Sequence, residues 1–207
     1  MTGLPNVWPR KQAAPEKPAL LLRGARVYLR PGRESDWRPW AELRSTSRDH
    51  LVPFEPQWTE DSLTERAFHR RLERQRRDWR LEMSRSLLVF LEDGDAIIGG
   101  INLNNICRGA AQYCSLGYWL GQPYQGHGYM QESARLLIAH AFGAMGLHRI
   151  NAATLPHNGR SIKMLRRLGF AEEGFAKNYI QINGTYQDHI LFGLCADSSG
   201  HELDLEA

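Results

Sequence analysis

The chain has 207 residues, 42% hydrophobic and 24% charged, which is the composition of a globular protein with a real core and fits one domain of ordinary size. Its net charge of +3 is compatible with an anionic ligand or a ribonucleoprotein partner but diagnostic of neither. No uncharged run approaches the roughly 18 residues of a membrane span, the proline-rich first twenty residues lack the apolar stretch of a secretion signal, and Cys107, Cys114 and Cys195 have neither disulfide-framework nor zinc spacing, so the expectation is a cytoplasmic protein with no membrane partner and no metal.

Residues 1–20 read as a mobile arm in which Trp8 is the one anchor, 21–195 as the folded domain and 196–207 as a polar, acidic tail. Alternation predicts a first strand over 25–31. Ser35 or Asp36 then offers an N-cap for a helix running to about 48. Two prolines around Phe54 make 51–56 a loop, and Thr59 or Asp61 opens a second helix ending near 83. Three strands follow, at 86–93, 95–106 and 112–120, joined by turns rich in Gly and Asp, hence an antiparallel meander. A helix over about 129–144 places Ala134, Leu137, Ile138, Ala141 and Phe142 on one face. Next come a strand at 148–155, a short helix from Ser161 to Leu168, and two closing strands, 170–182 and 185–194, across an Asn183-Gly184 turn. Strands and helices in this order give an α+β (mixed α/β) domain.

The stretch "YQGHGYM" at 124–130 stands at the junction of a strand and a helix. Helix N-termini present unpaired N–H groups and a partial positive charge, and glycines let the backbone come close to phosphate oxygens. Gly126, His127, Gly128, Tyr129 and Met130 therefore suit a pyrophosphate. A dinucleotide fingerprint needs Gly or Ala where Gln131 stands, and a P-loop needs Gly-Lys-Ser/Thr. Two readings stay open on these residues alone: a phosphate cradle of another type, and a glycine-rich start of a helix with no ligand.

Residues 155–194, "LPHNGRSIKMLRRLGFAEEGFAKNYIQINGTYQDHILFGL", carry Asn158-x-x-Ser161, Leu168-Gly169-Phe170, Glu173-Gly174 and Asn183-Gly184-x-Tyr186-x-Asp188. With "GYWLGQPYQGHGYM" at 117–130, "LVPFEP" at 51–56 and "NNICRGA" at 104–110, this resembles the GNAT-fold N-acetyltransferases, specifically the RimJ branch of the RimJ/RimL group, over about residues 25–195. The loop Gln125-Gly126-His127-Gly128-Tyr129-Met130 is similar to the family's pyrophosphate motif, Gln/Arg-x-x-Gly-x-Gly/Ala, with Met130 as its departure and a slightly more open loop as the consequence.

The resemblance implies a mixed, mostly antiparallel sheet of seven strands flanked by about four helices, splayed between the fourth and fifth strands. It implies acetyl-CoA as cofactor, its pantetheine paired with main-chain groups of Tyr118, Trp119 and Leu120, although the two aromatic side chains also suit plain core packing. Ser161 is expected near the thioester sulfur, or as a simple helix cap. Asn158 is expected to position the pantetheine or the helix start, a Leu120 N–H to receive the oxyanion, and Arg167, with Arg160, Lys163 and Arg166 nearby, to meet a phosphate. The acceptor groove is expected between Phe54 and Trp58 on one side and Asn178, Tyr179 and Tyr186 on the other. The implied acceptor is a protein N-terminus, that of a ribosomal protein with Ala or Ser first, attacked directly without an acetyl-enzyme. For the base the candidates are Glu173, Asp188 and His189, while His127 reads as a loop side chain near phosphate. The segment 65–85 holds eight arginines and reads either as a solvated, ion-paired face or as a contact with ribosomal RNA. Two rivals accompany this reading: acetylation of a small-molecule amine, and a ribosome-assembly binding module with this fold. The oligomeric state is open, a homodimer included.

Overall fold

The computed structural model describes residues 20–196. The expected arm and tail, Trp8 among them, lie outside the described residues, save for Leu20 and Ala196. In chain order the elements are β1 (Leu22–Arg23), β2 (Val27–Arg30), α1 (Trp37–Thr46), α2 (Arg48–Leu51), α3 (Glu65–Arg80), β3 (Arg85–Leu91), β4 (Ile97–Cys107), β5 (Tyr113–Leu120), α4 (Tyr129–Phe142), β6 (Arg149–Thr154), α5 (Gly159–Arg167), β7 (Ala171–Ile182) and β8 (Thr185–Cys195). The strands form one mixed sheet in the order β1-β2-β3-β4-β5-β6-β8-β7, antiparallel except for the β5–β6 pair. The α+β fold expected from the sequence is therefore present, with eight strands in place of seven and five α-helices in place of four. Both additions are short. Two residues of β1 are too few to show alternation, and α2 is a single turn, continued by a 3-10 turn at Val52–Phe54 within the expected loop.

Both ends of α3 and the start of α5 differ from the expected boundaries, while α1 keeps an expected cap position without a side-chain cap bond. Asp36 precedes α1 but does not cap it through its side chain: its carboxylate takes the Arg30 guanidinium at 2.7 and 2.8 Å and the Arg33 N–H at 2.7 Å. The start of α3 falls at neither Thr59 nor Asp61, which bond to each other at 2.7 Å in the preceding turn; Thr64 caps it, accepting the Ala67 N–H at 3.3 Å. Its end comes at Arg80, and Glu82 follows in the left-handed region at φ 54°. The cap of α5 is Asn158, whose Oδ1 accepts the Ser161 N–H at 3.2 Å. In the β7–β8 turn both Asn183 (φ 45°) and Gly184 (φ 83°) take positive φ, the type I′ geometry that matches strand twist.

Alternation along the strands builds two cores, one on each face. Val27, Leu29, Val89, Ile101, Leu103, Leu116, Ile150 and Phe192 pack under α4 and α5, whose Ala134, Leu137, Ile138, Ala141 and Leu165 are buried against them. Tyr28, Phe90 and Ile97 face the other way, under Trp40 and Leu43 of α1 and Phe68 and Leu72 of α3. Beyond α1 and α3 this second face carries Asn104, Ser115, Asn151, Ala153 and Leu191 and is left open.

Candidate active site

The site begins with a failure of pairing. β5 and β6 pair only at Tyr113–Arg149, Cys114–Ile150 and Ser115–Asn151, and then separate. The Arg149 N–H reaches the Gln112 carbonyl at 3.1 Å, and the Gly121 N–H reaches the Ile98 carbonyl of β4 at 2.9 Å. Main-chain groups alternate sides along a strand, so even-numbered residues of β5 face β6 and odd-numbered ones face β4. Past Ser115 the N–H and C=O groups of Tyr118 and Leu120 therefore point into the opening, where β6 no longer meets them. Trp119 does not share this: its main chain faces β4, opposite Gly100, and its indole lies against Gly100 with the Arg44 guanidinium 4.7 Å from its ring. The main chain left unpaired is thus that of Tyr118 and Leu120, and Trp119 is among the residues that line the cavity.

Two chambers meet at the opening. One, of about 810 Å³, lies over the uncovered sheet face, floored by Asn104, Ser115, Asn151 and Leu191. The other, of about 680 Å³, runs between α2 and the first turns of α4 and α5. Four residues line both: Phe54, Tyr118, Asn158 and Ser161. Tyr118 and Ser161 join hydroxyl to hydroxyl at 2.6 Å. Since Asn158 supplies the cap, the Ser161 hydroxyl is free of that duty. The pair holds two hydroxyl hydrogens and one bond between them, which leaves one hydrogen for an outside acceptor. Burial pushes the Tyr118 phenol up to about 12, so it stays protonated throughout the neutral range.

The second chamber ends at the 125–130 loop. Gly126 (φ 79°) and Gly128 (φ 81°) take a backbone conformation that L side chains resist, and Gly128 directly precedes α4. Their turn exposes the first N–H groups of α4, and Arg160, Lys163 and Arg167 line the same chamber with cations. Met130 turns its side chain into the core and is 6% exposed. His127 is exposed, stacks on Tyr129 at 5.6 Å, and brings only its backbone to the loop. Gln125 touches the His50 ring with its side-chain amide. His50 also lines this chamber; burial, then Arg160, lowers its pKa, which favours the neutral ring.

Sequence reasoning missed the brace behind this loop. Arg26, just before β2, donates to the His127 carbonyl at 3.0 Å, and to Glu132 of α4 through Nε at 2.9 Å and its backbone N–H at 2.8 Å. Its guanidinium also sits 5.2 Å from the Tyr129 ring centre. These partners are about a hundred residues from Arg26, so no local pattern announces them.

The acceptor-side candidates divide. Phe54 and Tyr179 line the sheet-face chamber; Trp58, Asn178 and Tyr186 do not. Trp58 donates its indole N–H to Glu55 at 2.8 Å and lies over Arg44 and Arg48 instead. Asn178 sits at φ 48° in a bulge of β7, its N–H on the Asp188 carboxylate at 2.8 Å. Tyr186 is 61% exposed near the hairpin tip. That tip is tied down by the Asn183 N–H on the Glu55 carbonyl at 2.9 Å, so the 52–56 turn and the hairpin close one side of the chamber together.

A fan of N–H groups at a left-handed glycine turn, a cationic rim and a splayed parallel strand pair are features that suit a pyrophosphate with an amide-bearing arm. Residues 26–171 match the family model described as "Acetyltransferase (GNAT) domain". The chain belongs to the GNAT acetyltransferase family. It is 35% identical over 178 residues to the "[Ribosomal protein uS5]-alanine N-acetyltransferase" of Escherichia coli (strain K12), covering 86% of this chain and 91% of that protein. Among solved structures it resembles Mycobacterium smegmatis RimJ in complex with CoA-disulfide (TM-score 0.81, 28% identity, 87% of this chain and 88% of that one). It is also similar to the ribosomal-protein-S5-alanine acetyltransferase from Vibrio fischeri (TM-score 0.80, 32% identity, 86% and 98%). This GNAT chain is accordingly an acyltransferase, and among its described residues no helix is long and apolar enough to cross a membrane and no acidic, His or Cys cluster could hold a metal.

Proposed function

We propose that the protein transfers an acetyl group from acetyl-CoA to the N-terminal α-amino group of a ribosomal protein, with Ala or Ser first, in the cytoplasm. The observation that carries this reading is the character of the sheet-face chamber. It opens to solvent and is lined by Asn104, Asn105, Ser115 and Asn151, side chains that suit a peptide backbone. The carboxylate among its lining residues, Glu173, is already paired with Arg149. A polyamine or aminoglycoside, carrying several positive charges, calls for several unpaired carboxylates. The 35% identity to an enzyme named for an alanine N-terminus supports the same choice.

The residues fit acetyl-CoA. N–H groups from Gly126 to Met130 would hold the pyrophosphate, Arg160, Lys163 and Arg167 its surrounding charge, and the main chain of Tyr118 and Leu120 the pantetheine amides. Once bound, the cofactor supplies an acyl group activated as a thioester. The Leu120 N–H, which faces the opening, would receive negative charge on the acyl oxygen. Tyr118 and Ser161 offer their remaining hydroxyl hydrogen to sulfur, and Asn158 fixes Ser161 by capping α5. An α-amine, with a pKa of about 7.7–8.0, is substantially neutral near pH 7.5, whereas a lysine amine at about 10.4 is not. A site of this kind therefore favours N-termini.

The Arg-rich helix α3 is the proposed ribosomal RNA contact. Arg70, Arg76 and Arg77 are ion-paired and Arg71 packs over Trp40, while Arg66, Arg74 and Arg80 form no ion pair among the described residues. The deciding experiment is an acetyl-transfer screen with peptides beginning Ala, Ser or Met against a panel of small amines, with the modified nitrogen located by fragmentation mass spectrometry. Modification of Ala and Ser peptides at the first nitrogen is expected; turnover of the small amines alone overturns the proposal.

A further inference from the structure

We infer that His189 is the proton acceptor for the attacking amine, through its Nε2. The inference rests on the N-acetyltransferase reading and adds the base that this reading lacks. His189 stands on β8 with its ring on the lining of the sheet-face chamber, among the same residues as Asn158, Ser161 and Tyr118. It is 3% exposed, so protein encloses most of the residue and it meets the chamber over a small part of its surface. Nδ1 lies 2.9 Å from the Gln187 carbonyl. A carbonyl oxygen only accepts, so Nδ1 carries the hydrogen and the neutral ring holds its lone pair on Nε2. No partner for Nε2 is seen among the described residues. The edge of Tyr179 from β7, at 5.9 Å between ring centres, fixes the plane of the ring.

The carboxylates, the other histidines and the buried phenol around this chamber are committed elsewhere. From β7, Glu173 is paired with Arg149 of β6. Asp188, the neighbour of His189 on β8, accepts the Asn178 N–H. From β5, burial keeps the Tyr118 phenol protonated. His157 and His50 lie beyond Phe54 in the other chamber. His189 is thus the group in the acceptor chamber with an accepting lone pair and a fixed tautomer. In the balanced step, the amine lone pair forms the C–N bond and the C–S bond breaks with its electron pair on sulfur. The proton released from nitrogen goes to His189 Nε2. The products are an amide, a thiolate held by the Tyr118–Ser161 hydroxyls, and an imidazolium that returns its proton to solvent.

The test follows kcat/KM for an N-terminal-alanine peptide across pH 5 to 9, at saturating acetyl-CoA. The free amine must be neutral, with a pKa of about 7.7–8.0, and so must the base. Below both ionisations the logarithm of kcat/KM rises with slope two in the native enzyme. His189→Asn keeps a side-chain N–H for Gln187 and deletes Nε2; it should lose about a hundredfold in kcat, show slope one, and leave the KM for acetyl-CoA unchanged. His189→Ala should regain activity with added imidazole, which a merely structural role does not provide. Nitrogen-15 NMR of histidine-labelled native protein should find Nδ1 protonated and Nε2 bare, with the Nε2 signal moving on addition of the peptide. A retained slope of two in His189→Asn, a loss under threefold, or a bare Nδ1 in the native protein overturns the inference. If the native enzyme turns over a small amine and no peptide, the acceptor proposal fails, and the slope measured with that amine still decides the role of His189.

Discussion

The hydroxyl pair at the junction of the chambers gives the sharpest prediction. A phenol held up at about 12 cannot hand its proton to a thiolate whose parent thiol has a pKa of about 8.5: full transfer is uphill by ~3.5 units, or about 5 kcal/mol. On the proposed function, the pair therefore acts on the leaving sulfur by hydrogen bonding. The phenol is the more acidic hydroxyl and the better donor, so across 2.6 Å it donates to Ser161 Oγ and polarises the serine O–H toward sulfur. Removing a hydrogen bond to a charged group costs about 1.5–3 kcal/mol, so Ser161→Ala should lower kcat roughly 10- to 150-fold. Tyr118→Phe removes only the supporting bond, worth about 0.5–1.5 kcal/mol, and should cost roughly 2- to 13-fold. The double variant should match Ser161→Ala, because the supporting bond has nothing left to support. The assay is continuous release of free thiol at saturating substrates, repeated from pH 6 to 10, where the contribution of the pair stays constant because the phenol does not ionise. Three results refute the reasoning: a larger loss in Tyr118→Phe than in Ser161→Ala, losses that multiply, or a falling limb near pH 9 that disappears in Tyr118→Phe.

Gly126→Ala places a methyl group in open space but at φ 79°, so its cost is backbone strain of about 1–2 kcal/mol; Tm should fall by roughly 2–8 °C, with calorimetry showing at least tenfold weaker CoA binding. Arg26→Ala removes the hydrogen bond to the His127 carbonyl and should raise the KM for acetyl-CoA about 3- to 10-fold with kcat unchanged; an equal fall in kcat would refute a purely supporting role. Cys114 is fully buried, and burial pushes its thiol up to about 12, so a thiol reagent at pH 8 should modify no more than two of the three cysteines in the native protein and all three after denaturation.

Much of this architecture could be read from residue pattern because strands such as β6 alternate, the others are bounded by turn residues, and the main helices carry one apolar face. The left-handed glycines at 126 and 128 and the cap at Asn158 are local devices, and local devices leave local marks. Boundaries were harder wherever several residues compete for one task. Between 59 and 64 the sequence offers Thr59, Asp61 and Thr64 as caps, and the first two satisfy each other, leaving Thr64 to begin α3. Trp58 looks like a groove residue in sequence, but Glu55 and the Arg44 and Arg48 guanidiniums claim it. The bulge at Asn178 likewise turns an expected wall residue into a backbone bond to Asp188. What could not be read is long-range pairing: Tyr118 with Ser161, 43 residues apart, and Arg26 with Glu132, 106 apart. Spacing carries no trace of such partners because only the folded sheet brings them together.

Because the two chambers share only Phe54, Tyr118, Asn158 and Ser161, on the proposed function donor and acceptor need not queue at a common doorway. Either can arrive while the other is already seated, and neither blocks the other's exit. Steady-state kinetics should accordingly show intersecting double-reciprocal lines, the mark of a ternary complex, and exchange of label between acetyl-CoA and free CoA should not occur until an amine is present.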